Sequence, residues 1–221
     1  MPLYLTRARL RVEDTRIAAL LPLLVKEQSG ASAAHHRIWS LMSDGSDRSR
    51  DFLFRDAGDV TFVLSQRIPG SSPIWQHESR VIPAFEAGDV LNFTLRASPV
   101  IRRARDGRRS AKRDPILERL GQLALDDRRA RRQEIAQEET SRWLTAMGES
   151  SGYRLGDVLV ENHEQVKVRR RGAPVIQFSI VDVSGTLTVT NPTVFADRLG
   201  QGFGPAKAWG CGLMLCRRIN R

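Results

Sequence analysis

The sequence predicts an α+β protein with antiparallel sheets. Three observations carry that expectation: short runs of apolar alternation, helix-period patterns between them, and one element order that recurs in both halves of the 221 residues. A chain of this length has room for one large domain or two small ones, each with a real core.

Taken in order, residues 3–10 alternate as a strand, and 14–26 and 32–42 read as helices. Strands follow at 51–55 and 60–66, the second with Val60, Phe62 and Leu64 in alternation. Ile-Pro-Gly-Ser-Ser-Pro at 68–73 breaks the pattern, so no helix is expected there. Residues 78–85 form the next strand candidate, and Glu86-Ala87-Gly88-Asp89 a turn. The order then repeats. Residues 90–97 place Leu91, Phe93 and Leu95 on one strand face, and a basic loop leads to a long helical region at 115–147. Within it, Asp127/Arg131 and Glu138/Arg142 stand four apart, a helix-supporting spacing. Residues 164–171 and 175–183 make a hairpin about Gly172, with a further short strand at 186–190. Asn191-Pro192 supplies an N-cap and a proline at the first helical position, Gly200 suits the stop, and 212–219 closes as a strand. Each half thus approximates β-α-β-β-(α)-β, so we expect two tandem ferredoxin-like (RRM-like) domains, 1–86 and 87–221.

Charge narrows the function. Thirty-five Lys+Arg against 25 Asp+Glu leave +10, with a pI near 10.8 and a mean hydropathy of -0.34. Such an excess attracts polyanions, nucleic acid above all. It is concentrated. Arg102, Arg103, Arg105, Arg108, Arg109, Lys112 and Arg113 face only Asp106 within 102–113, and Lys167, Arg169, Arg170 and Arg171 crowd the expected hairpin tip. The arginines at 128–132 lie among Asp126, Asp127 and Glu134 and read as a solvated face. The longest apolar run, 17–25, contains Pro22 and is far short of the roughly 20 residues a spanning helix needs. With no apolar leader and only Cys211 and Cys216, a cytoplasmic protein without a membrane partner, metal or cofactor is expected.

Two motifs carry chemistry. The segment 200–212 holds Gly200, Gly202, Gly204, Gly210 and Gly212 around Lys207, where glycines permit close backbone approach to phosphates. It precedes a strand, so it is neither a Walker nor a Rossmann loop. Phe203 and Trp209 in the same loop suit base stacking, worth about 1–3 kcal/mol per base. The other motif is His35-His36-Arg37-Ile38-Trp39 on a helix. A histidine on a helix is by itself more often structural than catalytic. No HExxH or carboxylate partner makes it a metal site.

Together, His35 with Trp39, Arg50-Asp-Phe-Leu-Phe-Arg55 and Gly202-Phe-Gly-Pro-Ala-Lys207-Ala-Trp-Gly-Cys-Gly-Leu213 resemble the CasE family. These are the CRISPR-RNA endoribonucleases of type I-E systems, in the repeat-associated mysterious protein superfamily. Leu95-Arg-Ala-Ser-Pro99, Lys112-Arg113, and Arg142-Trp143-Leu144 before Gly152-Tyr153 extend the resemblance over nearly the whole chain. It implies two ferredoxin-like domains that bind the repeat stem-loop of a CRISPR precursor RNA. It further implies metal-free cleavage at the 3′ base of the stem and retention as a subunit of the Cascade complex, with no DNA contact of its own. The family's catalytic histidine, four residues before the tryptophan, is His35 here. His36 is turned about 100° round the helix. The family commonly has a tyrosine where this chain has Ser32, and the segment at 14–26 is additional.

RNA carries its own nucleophile, the 2′-hydroxyl. A histidine near its ordinary pKa can accept that proton or donate one to the 5′-oxygen, worth about 10²–10⁴-fold. On this reading His35 moves protons, Lys207 or Arg37 neutralises the phosphate, and Ser32 hydrogen-bonds it. The products are a 2′,3′-cyclic phosphate and a 5′-hydroxyl. A non-cutting RNA-binding subunit of the same superfamily is the main alternative. A general RNA-recognition module lacks support because its RNP1 octamer is missing.

Overall fold

The structure is a computed structural model that describes residues 2–11, 13, 31–43, 50–105, 108–168 and 175–219, with backbone alone at 31–36, 103–105, 108–110 and 168. The expected helix at 14–26 and the arginines at 169–171 lie outside the described residues.

The first half is β1 (Tyr4–Leu10), α1 (Ala31–Met42), β2 (Phe52–Ala57), β3 (Val60–Ser65) and β4 (Trp75–Val81), with the sheet order β2-β3-β1-β4. All its pairings are antiparallel. The sheet has the ferredoxin-like order with no helix between β3 and β4, as the broken 68–73 sequence anticipates. β4 begins and ends earlier than the expected 78–85. Its register against β1 runs from Leu10↔Trp75 to Tyr4↔Val81, and one further bond, Ile82 N–H to the Leu3 carbonyl, ends the pairing just before Pro83.

The second half is β5 (Val90–Ala97), β6 (Ile101–Arg105), β7 (Arg108–Arg113), α2 (Pro115–Gly121), α3 (Leu125–Ala130), α4 (Arg132–Gly148), β8 (Tyr153–Val168), β9 (Ile176–Val189), α5 (Pro192–Gln201) and β10 (Met214–Arg218). Its sheet, β10-β5-β9-β8, repeats the same order. Several expectations are corrected here. The basic loop is a hairpin, with Ile101 paired to Arg113 and Arg102 to Lys112. The long helical region is three helices, and Arg131 ends α3 and pairs with Glu134 at 2.9 Å instead of Asp127. The separate strand at 186–190 belongs to one continuous β9, and its partner β8 starts back at Tyr153. Gly156 and Asp157 hid that stretch by breaking the alternation. Asn191 does cap α5, accepting from Val194 N–H, but the stop is Gly202 at φ +79°, two residues past Gly200.

The helices cover one face of the second sheet, around Leu91, Phe93, Leu95, Val181, Val183 and Phe195. Strand alternation in β2 divides the first sheet between two cores. Phe52 and Phe54 pack with Ile38 and Met42 beneath α1. Leu53, with Leu64 of β3, joins the core of the second half.

Candidate functional site

The segment after α5 is held at both ends. Gly202 N–H donates to the Arg198 carbonyl, Phe203 N–H to the Gly212 carbonyl, and Gly212 N–H to the Arg96 carbonyl, at 2.8, 2.9 and 2.7 Å. Between these anchors it passes around β2, which is an edge strand. A Cβ at Gly202 would lie 2.8 Å from Leu53, while one at Gly210 would lie 3.4 Å from the Phe54 ring. Those two side chains belong to opposite faces of the sheet. Its outermost part, a short 3-10 turn at Lys207–Trp209, thereby packs against α1. Ala206 enters that turn at φ +61°, a left-handed conformation that costs an alanine about 1–2 kcal/mol.

This wrapping brings together the two sequence motifs. His35 and Ser32 lie on the N-terminal part of α1, with backbone alone described, and His35 stands one turn before Trp39. Trp39 packs edge-on to Phe52, ring centroids 5.3 Å apart, while Ile38, Leu41 and Met42 are buried. The C-terminal part of the helix is thus fixed to the sheet. Lys207 is half-buried, and burial with Arg50 and Arg198 nearby holds its ammonium below the usual lysine range. Neither Arg50 nor Lys207 has an acidic partner among the described residues. Arg198 donates to Ser151 Oγ at 3.0 Å.

Some expected roles change. Phe203 is 0% exposed and packs edge-on to Tyr153 at 6.2 Å, so it is a core residue and not a stacking surface. Gly204 has φ +74°, and a Cβ would meet the Ser98 carbonyl at 2.9 Å and the Trp143 ring at 3.1 Å. Close approach at Gly202, Gly204 and Gly210 is therefore to the protein's own strands and rings. Arg37 is paired with Asp56 at 2.5 Å, so a phosphate would have to displace that carboxylate to take it. Cys211 is buried, and burial pushes its thiol up to about 12.

The basic residues lie on two hairpins of the second half. Arg102, Lys112 and Arg113 are exposed on the β6–β7 hairpin, Arg103, Arg108 and Arg109 lie on its strands, and Lys167 is exposed near the end of β8. Asp114 sits where the two hairpins meet. It caps α2 through Ile116 and Leu117 N–H and accepts from Ser179 N–H of β9 at 2.6 Å.

Sequence reasoning missed a polar junction between the halves. Arg55 of β2 donates to Thr94 Oγ1 of β5 at 3.0 Å and stands 3.8 Å from Asp182 of β9. Asp182 also takes Arg96 at 2.6 Å, and Arg96 reaches Glu164. Burial lowers the pKa of Arg55 from its usual range, opposed by Asp182. Arg55 was legible only as part of a motif, because its partners come from distant strands.

Among the described residues no cluster of three or more His, Cys, Asp or Glu is placed to hold a metal, and no helix is long and apolar enough to cross a membrane. Comparison with known proteins agrees with the geometry. The CRISPR system Cascade subunit CasE of Escherichia coli K12 is 28% identical over 195 residues, covering 81% of this chain and 88% of that protein. The CRISPR-associated endoribonuclease Cse3 of Thermus thermophilus is 28% identical over 143 residues, 60% of this chain and 57% of that one. Among solved structures, Cse3 bound to a 19-nt RNA superposes with a TM-score of 0.67 at 23% identity over 98% of both chains. Cas6e of Escherichia coli K-12 gives 0.54 at 18% identity over 98% of this chain and all of that one. These likenesses establish the fold. The model of the family described as CRISPR associated protein matches residues 3–218, and the chain belongs to that family.

Proposed function

We propose that this protein is an endoribonuclease that binds the repeat hairpin of a CRISPR precursor RNA and cuts at the 3′ base of its stem. It stays on the product as a subunit of a Cascade-type complex and works in the cytoplasm, with residues 1–86 and 87–221 as its two domains. The observation that carries this reading is the packing of the Lys207–Trp209 turn on the helix that bears His35. Two motifs separated by most of the chain serve one place.

The chemistry follows from the substrate. Binding holds the 2′-hydroxyl in line with the scissile phosphate and removes the entropy cost of alignment. His35 moves a proton at the 2′-oxygen or at the departing 5′-oxygen. Lys207 supplies positive charge to the developing phosphorane, and Ser32 a hydrogen bond. Lys207 sits half-buried beside two other cations, so a phosphate arriving there relieves their repulsion and moves its pKa back towards the usual lysine range. The exposed cations of the β6–β7 hairpin and of β8 hold the stem by its phosphates.

The test is cleavage of the repeat RNA from the protein's own genome in EDTA. We expect a 2′,3′-cyclic phosphate and a 5′-hydroxyl. A single deoxynucleotide just 5′ of the scissile phosphate should leave binding unchanged and abolish cutting. Cleavage of that RNA to a linear phosphate, or activity lost in EDTA and restored by Mg²⁺, overturns the mechanism. Tight binding of the all-ribose repeat without cutting identifies a non-cleaving subunit instead.

A further inference from the structure

Trp209 has an aromatic partner that sequence order conceals. Phe178 of β9 lies with its ring centroid 5.4 Å from that of Trp209, the two planes tilted by 59°. Both side chains are only half-buried. The pair thus differs from Tyr153 and Phe203, which are closed into the core.

Its position gives it a use. Trp209 ends the turn that begins with Lys207, and this turn packs on the helix of His35. Phe178 pairs with Val166 across the β8–β9 ladder, one step from the Lys167↔Gln177 pair. The two rings therefore connect the lysine of the candidate reaction site to the basic arm of the β8–β9 hairpin. Lys207 lies in the same turn as Trp209, whereas Lys167 projects from the face of the β8–β9 ladder opposite to Phe178. Partly open aromatic rings with a lysine in the same turn suit a nucleotide, because the base stacks on a ring while the cation holds its phosphate.

We propose that Phe178 and Trp209 form a stacking subsite for one nucleobase adjacent to the cleaved phosphate. The subsite fixes the nucleotide beside the scissile bond, and so contributes to in-line geometry as well as to affinity. Stacking tolerates any base, so the subsite selects an unpaired nucleotide and not a particular letter. This proposal rests on the endoribonuclease reading above.

The experiment is a double-mutant cycle between protein and RNA. Repeat RNAs with a single abasic position are scanned around the cut site against the unaltered protein, Trp209→Leu, Trp209→Phe and Phe178→Leu. Leucine keeps apolar volume and removes the ring face. We expect one abasic position within two nucleotides of the scissile phosphate to lower affinity or single-turnover rate about 5- to 150-fold. Trp209→Leu should cost a similar factor on intact RNA and almost nothing more on that abasic RNA, with Trp209→Phe restoring most of the loss. Equal loss on intact and abasic RNA would mean that the ring only packs, and would overturn the proposal. So would an abasic scan of the unaltered protein without a sensitive position, a measurement that needs no variant to fold. If the unaltered protein cuts the repeat and the cycle shows no coupling, the subsite alone falls. If it does not bind the repeat at all, the functional reading falls with it.

Discussion

The two sheets share one strand order and solve the same packing problem differently. The second sheet carries α2, α4 and α5 and builds its own core around Leu95, Val183 and Phe195. The first has α1 on one face and no helix between β3 and β4, which leaves Leu53 and Leu64 to be covered by the other half. A ferredoxin-like unit can dispense with one helix when a neighbour buries the face that helix would cover. The economy has a consequence for chemistry. The 202–212 segment that helps to cover β2 is also the one whose turn meets the helix of His35. On the proposed reading the first half supplies the histidine and the second most of the cations, and the wrap around β2 joins them.

The sharpest way to break this division is at the histidine. His35→Ala should lower single-turnover cleavage by about 10²–10⁴-fold and leave repeat-RNA affinity nearly unchanged, with His36→Ala doing much less. Equal effects of the two would place the reacting group elsewhere on the helix. Next in size, Phe203→Ala should destabilise the protein by about 3–5 kcal/mol and Leu53→Ala by about 2–5 kcal/mol, read from urea midpoints. The unfolding of both halves in one transition would mark their shared core. Separate transitions would mean that the first sheet stands alone.

The charge of the second half is tested by salt. Replacing Arg102, Lys112 and Arg113 with alanine should reduce the log–log salt slope of RNA binding by about 0.7–0.9 for each phosphate that is no longer neutralised. An unaltered slope would remove the β6–β7 hairpin from the interface. The smallest effect belongs to Arg37. Its pair with Asp56 leaves both side chains about 30% exposed, so Arg37→Ala should cost under about 1 kcal/mol of stability. It should also leave RNA affinity in place, and a tenfold loss would show that Arg37 exchanges Asp56 for phosphate.

Much of this was legible because it is local. Apolar alternation located most strands, Asn191-Pro192 gave the start of α5, and the loop of Lys207 formed a specific motif, whereas the His35 motif was weak by itself. Ends of elements were less legible: β4 stops where β1 stops, and β8 runs through Gly156 because β9 pairs along its length. The glycine-rich loop was read correctly as a place of close approach and incorrectly as to what approaches. Residue type sets the permitted φ and the space left by a missing Cβ, and neither names the neighbour that fills it.

The β-α-β-β-(α)-β order, the surplus of basic residues and the two motifs of the proposed chemistry can be read along the chain, since periodicity, composition and spacing are properties of the chain. It takes the packed fold to bury Phe203 while Trp209 meets Phe178, to pair Arg37 with Asp56, and to set Arg55 across the halves to Thr94 and Asp182. Each of these depends on which residues from distant segments share a face. That is fixed by sheet register and by the path of the loop around β2, and by nothing within either segment alone.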